Sequence, residues 1–420
     1  MRQVRERHAI GAVTEALDDT RVVLVTGPRQ CGKSTLVKLV AKGRAAEWRN
    51  LDTEVTRQAA IADPTEFVRS SELMVIDEVQ RVPELLLAIK EVVDASTRPG
   101  HYLLTGSARV LGLRALPDTL AGRMETIELW PFSQGEIDGV RERFIDAVFA
   151  RGAALTHSSL VDRAGYIERI VRGGFPEAVA RTNPRRRERF FDAYLGDLVA
   201  RDVTQLSEIE RAPELRKLLS LIAARSGQLL VGNALSTQMS LSARSIHRYL
   251  ALLEEVFLIK RIHAWSRNLS TRAIGTPKVA FVDSGIAANL LDADARSLVR
   301  PASPLGPLME GFVLMELQRQ LTWSTVRAEL SHYRTKDKTE VDAVLEDRSG
   351  RVVAIEVKAG STVRAEDFAG LRHLQTRLGD DFVVGLVLYT GTQTLPFGPR
   401  LRAMPMAALW EITSARPPRR

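Results

Sequence analysis

One stretch constrains this chain more than any other: Gly27-Pro28-Arg29-Gln30-Cys31-Gly32-Lys33-Ser34-Thr35, with VVLVT before it and TLVKLVAK running out of it. An aliphatic run, a glycine-bounded loop and an amphipathic stretch predict strand, loop and helix in that order. The loop fits G-x-x-x-x-G-K-[ST] at every position. Glycines at such places let the backbone wrap an anion, with its N–H groups and the helix N-terminus facing inward. Lys33 is then expected at the β- and γ-phosphates of a nucleotide and the Ser34 hydroxyl on Mg²⁺. The nine residues Gly27 to Thr35 are the expected nucleotide-binding set.

A phosphate loop needs a second element to hold the metal and the attacking water. The run Leu73 to Glu78 (LMVIDE) supplies an aliphatic strand ending in two carboxylates. Asp77 suits the Mg²⁺ shell and Glu78 the base that orients water. A further strand, HYLLTGS, ends in Thr105 and Ser107. Either hydroxyl can sense the γ-phosphate, and Ser107 is the chosen one; a plain turn cap is the competing reading. Arg123, then Arg201, are the arginines best placed by order to complete a neighbour's site, against an ordinary surface role for both. Cys31 lies beside Lys33 and a helix start, a setting that can lower a thiol's pKa and make it reactive; the favoured reading is a small residue tolerated at a variable position.

At 420 residues the chain is long for one core, so two or three domains are expected. Its 59 basic and 51 acidic side chains leave a net charge of +8, but 49 of the cations are Arg and 10 are Lys. Arginine used so heavily reflects codon bias as readily as nucleic-acid binding, so the charge alone decides nothing. A single cysteine excludes a disulfide framework and a Cys-based zinc site and suits a reducing compartment. The N-terminal stretch has no apolar run behind its charged start, and no segment approaches the roughly 20 apolar residues of a membrane span. A soluble, cytoplasmic chain is expected.

From Arg21 to Trp130 the runs RVVLVTG, LMVIDE, HYLLTGS and METIELW alternate with amphipathic stretches such as Leu85 to Val93. Strands without polar alternation, separated by helices, predict a mostly parallel sheet covered on both faces. Residues 136–212 read as helical, with a turn at Gly173-Gly174-Phe175-Pro176. Residues 213–265 read as helix, short helix, long helix and strand, an order that resembles a winged helix-turn-helix. Ser242 is expected to cap the long helix, with Ile246, Tyr249, Leu250 and Leu253 on its buried face. This segment carries seven basic and three acidic residues, a net of +4. Arg244, Ser245 and Arg248 are expected to point at phosphates or bases, or else to be solvated on a helical lid. A new α/β pattern begins near Leu305, and Ser414 to Arg420 reads as a basic, disordered tail.

The motifs GPRQCGKST, VIDEVQ, LLTGSAR, LAGRMETIELWPFS, GGFPE and LVARDV resemble the bacterial and archaeal AAA+ ATP-binding proteins that carry a C-terminal domain of unknown function. The resemblance covers nearly the whole chain. It implies ATP and Mg²⁺ as cofactors and a site that a neighbouring subunit can complete.

In the C-terminal part, TEVDAVLEDRSGRVVAIEVK reads as two strands joined by a tight turn. Glu356 and Lys358, two apart, share a strand face, and the turn brings Asp342 alongside. Two carboxylates and a lysine on adjacent strands can bind a divalent metal and activate water. Such a pair can equally be a half-exposed strand couple. The arrangement resembles the PD-(D/E)xK nuclease core, with Val341 where that pattern often has Pro. The resemblance implies an acidic residue from the preceding helix: Glu310, ahead of Glu316, which lies on another helical face.

The expected architecture is a P-loop NTPase (AAA+) domain at 1–135, a helical lid or linker at 136–212, a winged-helix-like domain at 213–265 and a PD-(D/E)xK nuclease-like α/β domain at 266–420. The expected activity is ATP hydrolysis coupled to the C-terminal domain. The alternative is a nucleotide-switched regulatory module without nuclease activity, so DNA and a protein both stay open as partners.

Overall fold

A computed structural model describes residues 5–107, 120–198, 212–268 and 275–415. The chain divides into a first unit, Met1–Pro131 with Glu255–Phe257, and a second, Phe132–Glu254 with Leu258–Arg420. Arg201 and residues 416–420 of the basic tail lie outside the described residues. Among the described residues no helix is long and apolar enough to cross a membrane.

The first unit is built on β1 (Val22–Thr26), β2 (Ala46–Asn50), β3 (Leu73–Asp77), β4 (Tyr102–Gly106) and β5 (Met124–Glu128). All pairings are parallel, in the order β2-β3-β4-β1-β5. Alternate side chains of a strand leave by opposite faces, and the sequence supplies apolar groups to both. Leu24, Ile76 and Leu104 join Leu85, Leu86 and Ile89 of one helix, which runs from Leu85 to Ala95. Val23, Val25, Val75 and Leu103 join the helices α1 (Ile10–Asp19) and α2 (Lys33–Ala41) through Val13, Leu17, Leu36 and Val37. The helix over Leu85–Ala95 is α3. β2 is the strand that periodicity does not reveal. Its sequence AEWRN is polar and half-exposed, as an edge strand with one partner allows.

The second unit opens with helices, among them α4 (Arg163–Arg172). Gly173 follows at φ +67, and a Cβ there would sit 2.2 Å from Asp283 Oδ1. That carboxylate accepts from Gly174 N at 2.6 Å, and a Cβ on Gly174 would lie 2.3 Å from Phe132 O, so close approaches on both residues require the paired glycines. Next come α5 (Ala212–Ala223), α6 (Gly232–Met239) and α7 (Ala243–Glu255). They are followed by an antiparallel pair, β6 (Ile259–Ile262) with β7 (Lys278–Phe281). Ser242 caps α7 through Ser245 N at 3.0 Å, and Ile246, Tyr249, Leu250 and Leu253 are buried beneath it.

Beyond α8 (Ser284–Leu290) and α9 (Leu305–Gln320) lies a six-stranded mixed sheet. Its strands are β8 (Ala328–Arg334), β9 (Glu340–Asp347), β10 (Val352–Lys358), β11 (Phe382–Tyr389), β12 (Leu395–Gly398) and β13 (Leu401–Pro405). β8, β9 and β10 form an antiparallel meander. α10 (Ala369–Leu378) then crosses to β11, which runs parallel to β10. The parallel β10–β11 pair needs that crossover, since a tight hairpin joins only antiparallel strands.

Candidate functional sites

The loop after β1 is held open from several sides. Gly27 adopts φ +155, and a Cβ there would lie 2.0 Å from Leu129 O, so only glycine fits. Gly32, at φ +102, starts α2 in a left-handed conformation. Arg7 lies buried beneath the loop and donates to Cys31 O at 2.7 Å and Trp130 O at 2.6 Å. Nothing in its local sequence marks it, because its partners lie 24 and 123 residues away. Lys33 is buried, its ammonium donating to Gly27 O at 3.0 Å and Pro28 O at 2.9 Å. A phosphate oxygen would compete with two neutral carbonyls for that charge. Arg29 is half-buried, while Gln30, at φ +60, and Thr35 are exposed. Cys31 is fully buried, and burial pushes its thiol up. Desolvation of the thiolate outweighs Lys33 and Arg7, which speaks against the reactive-thiolate alternative and agrees with the favoured reading of a small residue tolerated in the loop.

Strand order brings the second element alongside. β4 lies between β1 and β3, so the C-terminal ends of all three meet at the loop. Ser34 Oγ donates to Asp77 Oδ1 at 3.1 Å. Thr105 Oγ1 donates to the same oxygen and accepts from Glu78 N at 2.9 Å. Glu78 itself holds φ +61, a left-handed conformation unfavourable for a residue with a Cβ. Gln80 Nε2 donates to Ser107 Oγ at 2.6 Å and to the Glu78 carboxylate. Lys33, Ser34, Asp77, Glu78 and Ser107 thus gather at one end of the sheet, with Thr105 at their centre. Arg123 lies at the opposite end, its carbonyl accepting from Val22 N at 3.2 Å and its guanidinium paired with Asp94.

In the second unit Asp342 and Glu356 are neighbours across β9 and β10, and Val357 N donates to Asp342 Oδ2 at 2.9 Å. Lys358 Nζ donates to Glu356 Oε1 at 3.1 Å and stands 3.6 Å from Asp367. Burial, then the Asp342 charge, push Glu356 up to about 8. Glu310 is brought in by a close approach of backbones. Gly227, at φ +86, packs against α9 so tightly that a Cβ would lie 2.7 Å from Glu310 Cβ. Burial, then Asp342, raise the Glu310 carboxyl well above its usual range.

Lys278, from β7, lies in the middle of this cluster. It is fully buried, and its ammonium reaches Glu310, Asp342 Oδ1 at 2.8 Å and Glu340 Oε1 at 3.0 Å. Arg334 takes the other Glu340 oxygen at 2.9 Å. Burial, then the Lys278 charge, push the adjacent His332 down to about 4. Neither Lys278 nor Glu340 is marked by a motif. Glu316 is fully buried elsewhere, bonded to Arg319 at 2.9 Å and Gln134 N at 3.0 Å. Among the described residues no set of three or more His, Cys, Asp or Glu side chains is arranged to hold a metal ion.

Sheet order, phosphate loop and carboxylate strand define a P-loop nucleotide-binding domain of the AAA type. A family model described as AAA domain matches residues 19–138. Two further models, each a domain of unknown function (DUF8612 and DUF4143), match 163–297 and 305–409. The uncharacterized proteins Rv2008c of Mycobacterium tuberculosis and Mb2031c of Mycobacterium bovis are each 30% identical over 407 residues, spanning 96% of this chain and 84% of the relative. The chain belongs to the family of these mycobacterial proteins. Among solved structures, the Walker-type ATPase PABY2304 of Pyrococcus abyssi aligns with TM-score 0.45 and 15% identity, over 68% of this chain and 96% of that one. AMPPCP-bound DnaA from Aquifex aeolicus aligns with TM-score 0.28 and 13% identity, over 59% and 86%.

Proposed function

We propose that the protein is a Mg²⁺-dependent ATPase whose nucleotide state is relayed to a nuclease-like second unit. The observation that carries this reading is the Ser34–Asp77 contact at 3.1 Å beside the buried Lys33. The donor set fits a hard cation: a hydroxyl and a carboxylate, both oxygen. Mg²⁺, when bound, supplies charge neutralisation at the phosphates. Lys33 binds the anion by exchanging loop carbonyls for phosphate oxygens. Thr105 fixes Asp77, and its bond to Glu78 N holds that residue in its left-handed turn. Glu78 orients water as base, and Ser107, linked to it through Gln80, senses the γ-phosphate.

In this reading residues 1–135 form the AAA+ module and 136–212 its helical lid. The α5–α7 and β6–β7 order supports a winged-helix-like domain, with Arg244 and Arg248 exposed on α7 as a nucleic-acid face. Of the other basic residues there, Arg261 is tied to Glu254 at 2.5 Å and Arg225 to Gln238 at 3.0 Å. The order α9, β8, β9, β10, α10, β11 supports a PD-(D/E)xK-like fold for the C-terminal part. The alternative, a second unit that docks a partner without cutting it, is favoured by Lys278 within the acidic cluster. The test is phosphate release by the full chain with and without Mg²⁺. Lys33→Ala and Glu78→Gln should each reduce turnover at least a hundredfold. Full turnover in either would overturn the assignment.

A further inference from the structure

We infer that the Lys278 ammonium occupies the cation position of the Glu310–Glu340–Asp342 cluster, making the second unit metal-independent and non-cleaving. The inference rests on reading that unit as nuclease-like and deepens it. An ammonium has three N–H donors; Lys278 gives one each to Glu310 and Asp342 as hydrogen bonds, and Glu340 Oε1 pairs with the same charge at 3.0 Å. Two of the acceptors, Asp342 and Glu340, are engaged at both oxygens. Asp342 gives Oδ1 to Lys278 and Oδ2 to Val357 N. Glu340 gives Oε1 to Lys278 and Oε2 to Arg334.

A divalent cation needs six or more oxygen ligands at roughly 2.0–2.6 Å. Here it would have to share Asp342 Oδ1 with a buried positive charge 2.8 Å from that oxygen, a repulsion that low-dielectric surroundings magnify. The remaining carboxylate, Glu356, is engaged by Lys358. Lys278 cannot swing into solvent, because its strand is hydrogen-bonded to β6 and its side chain is wholly enclosed. The chain supplies the cation itself. What survives of a phosphodiesterase centre is an ion-paired cluster that fastens β7 to α9 and β9.

The test is Mn²⁺ binding to the nucleotide-free full chain, followed by electron paramagnetic resonance, in wild type, Asp342→Asn, Lys278→Met and Lys278→Met/Asp342→Asn. Wild type and Asp342→Asn are expected to bind Mn²⁺ identically and weakly. Lys278→Met should gain one site at least tenfold tighter, lost again in the double variant. Binding by wild type that Asp342→Asn removes would overturn the inference, as would a folded Lys278→Met that gains no site. If Lys278→Met does not fold, the comparison of wild type with Asp342→Asn still decides. Supercoiled DNA incubated with wild type and Mn²⁺ should stay intact; nicking abolished by Asp342→Asn would overturn the claim. Phosphate release by the same preparations reports on the ATPase separately, so failure of one reading is not failure of the other.

Discussion

Thr105→Val isolates one hydroxyl at the centre of the nucleotide site. Valine keeps the shape of the buried threonine and deletes its oxygen, so two bonds vanish without a cavity. The first is the donation to Asp77 Oδ1, and a hydrogen bond to a charged group is worth about 1.5–3 kcal/mol. That loss frees Asp77 and should lower kcat about 10- to 150-fold, at 1.36 kcal/mol per factor of ten. The second is acceptance from Glu78 N at 2.9 Å. An orphaned buried N–H costs about 1–3 kcal/mol, and here it belongs to a residue already at φ +61. The unfolding midpoint should therefore fall by roughly 5–10 °C. Steady-state phosphate release over a range of ATP concentrations separates the parameters, and KM should stay within about threefold because Lys33 is untouched. The parallel variant Ser107→Ala loses the contact to Gln80 together with the proposed γ-phosphate sensor, so its kcat should fall as well while Asp77 stays fixed by Thr105. A folded Thr105→Val enzyme with wild-type kcat would refute the reasoning, because Asp77 would then need no help from the Thr105 hydroxyl.

Two further outcomes follow from buried charges. Arg7→Ala removes two bonds under the phosphate loop and should weaken nucleotide binding at least about tenfold, the equivalent of one charge-assisted bond at about 1.5 kcal/mol; a fluorescent-ATP titration with unchanged Kd would exclude that support. Glu142 is buried, and burial pushes its carboxyl from 4.5 up to about 8. The folded chain then keeps a proton that the unfolded chain sheds, so stability falls as pH rises from about 4.5 to 8. Glu142→Gln should remove that slope, raising the urea midpoint at pH 8.5 and leaving it nearly unchanged at pH 5.

What the sequence revealed followed how local each feature is. The phosphate loop and LMVIDE are contiguous, and each carries its strand or helix with it, so both motifs and the four aliphatic strands of the first unit were legible. β2 was not, because an edge strand with the sequence AEWRN needs few apolar residues. β12 follows the same logic: LPFG is a mostly exposed edge strand, and four residues are too short to show a period. In the second unit the meander and α9 were readable to within a few residues, and Asp342 was correctly set beside Glu356. Lys278 was invisible. It lies 32 and 64 residues from Glu310 and Asp342, and the strand KVAF has no feature but its apolar run. Arg7 escaped for the same reason. A partner chosen across the fold leaves no spacing rule behind.

The lysine among the three carboxylates also bears on how this chain can be cut. Lys278 falls in the segment matched by one family model, 163–297, and Glu310, Glu340 and Asp342 in that matched by the next, 305–409. The two segments look like separable modules along the sequence, yet they share one set of charges. A fragment beginning near residue 300 would carry the acids without their base, and leaving a buried charge unpaired costs about 3–5 kcal/mol. Such a fragment would have to take up protons or a foreign cation to fold. Metal binding by the isolated piece would then be a product of the dissection and not a property of the intact protein.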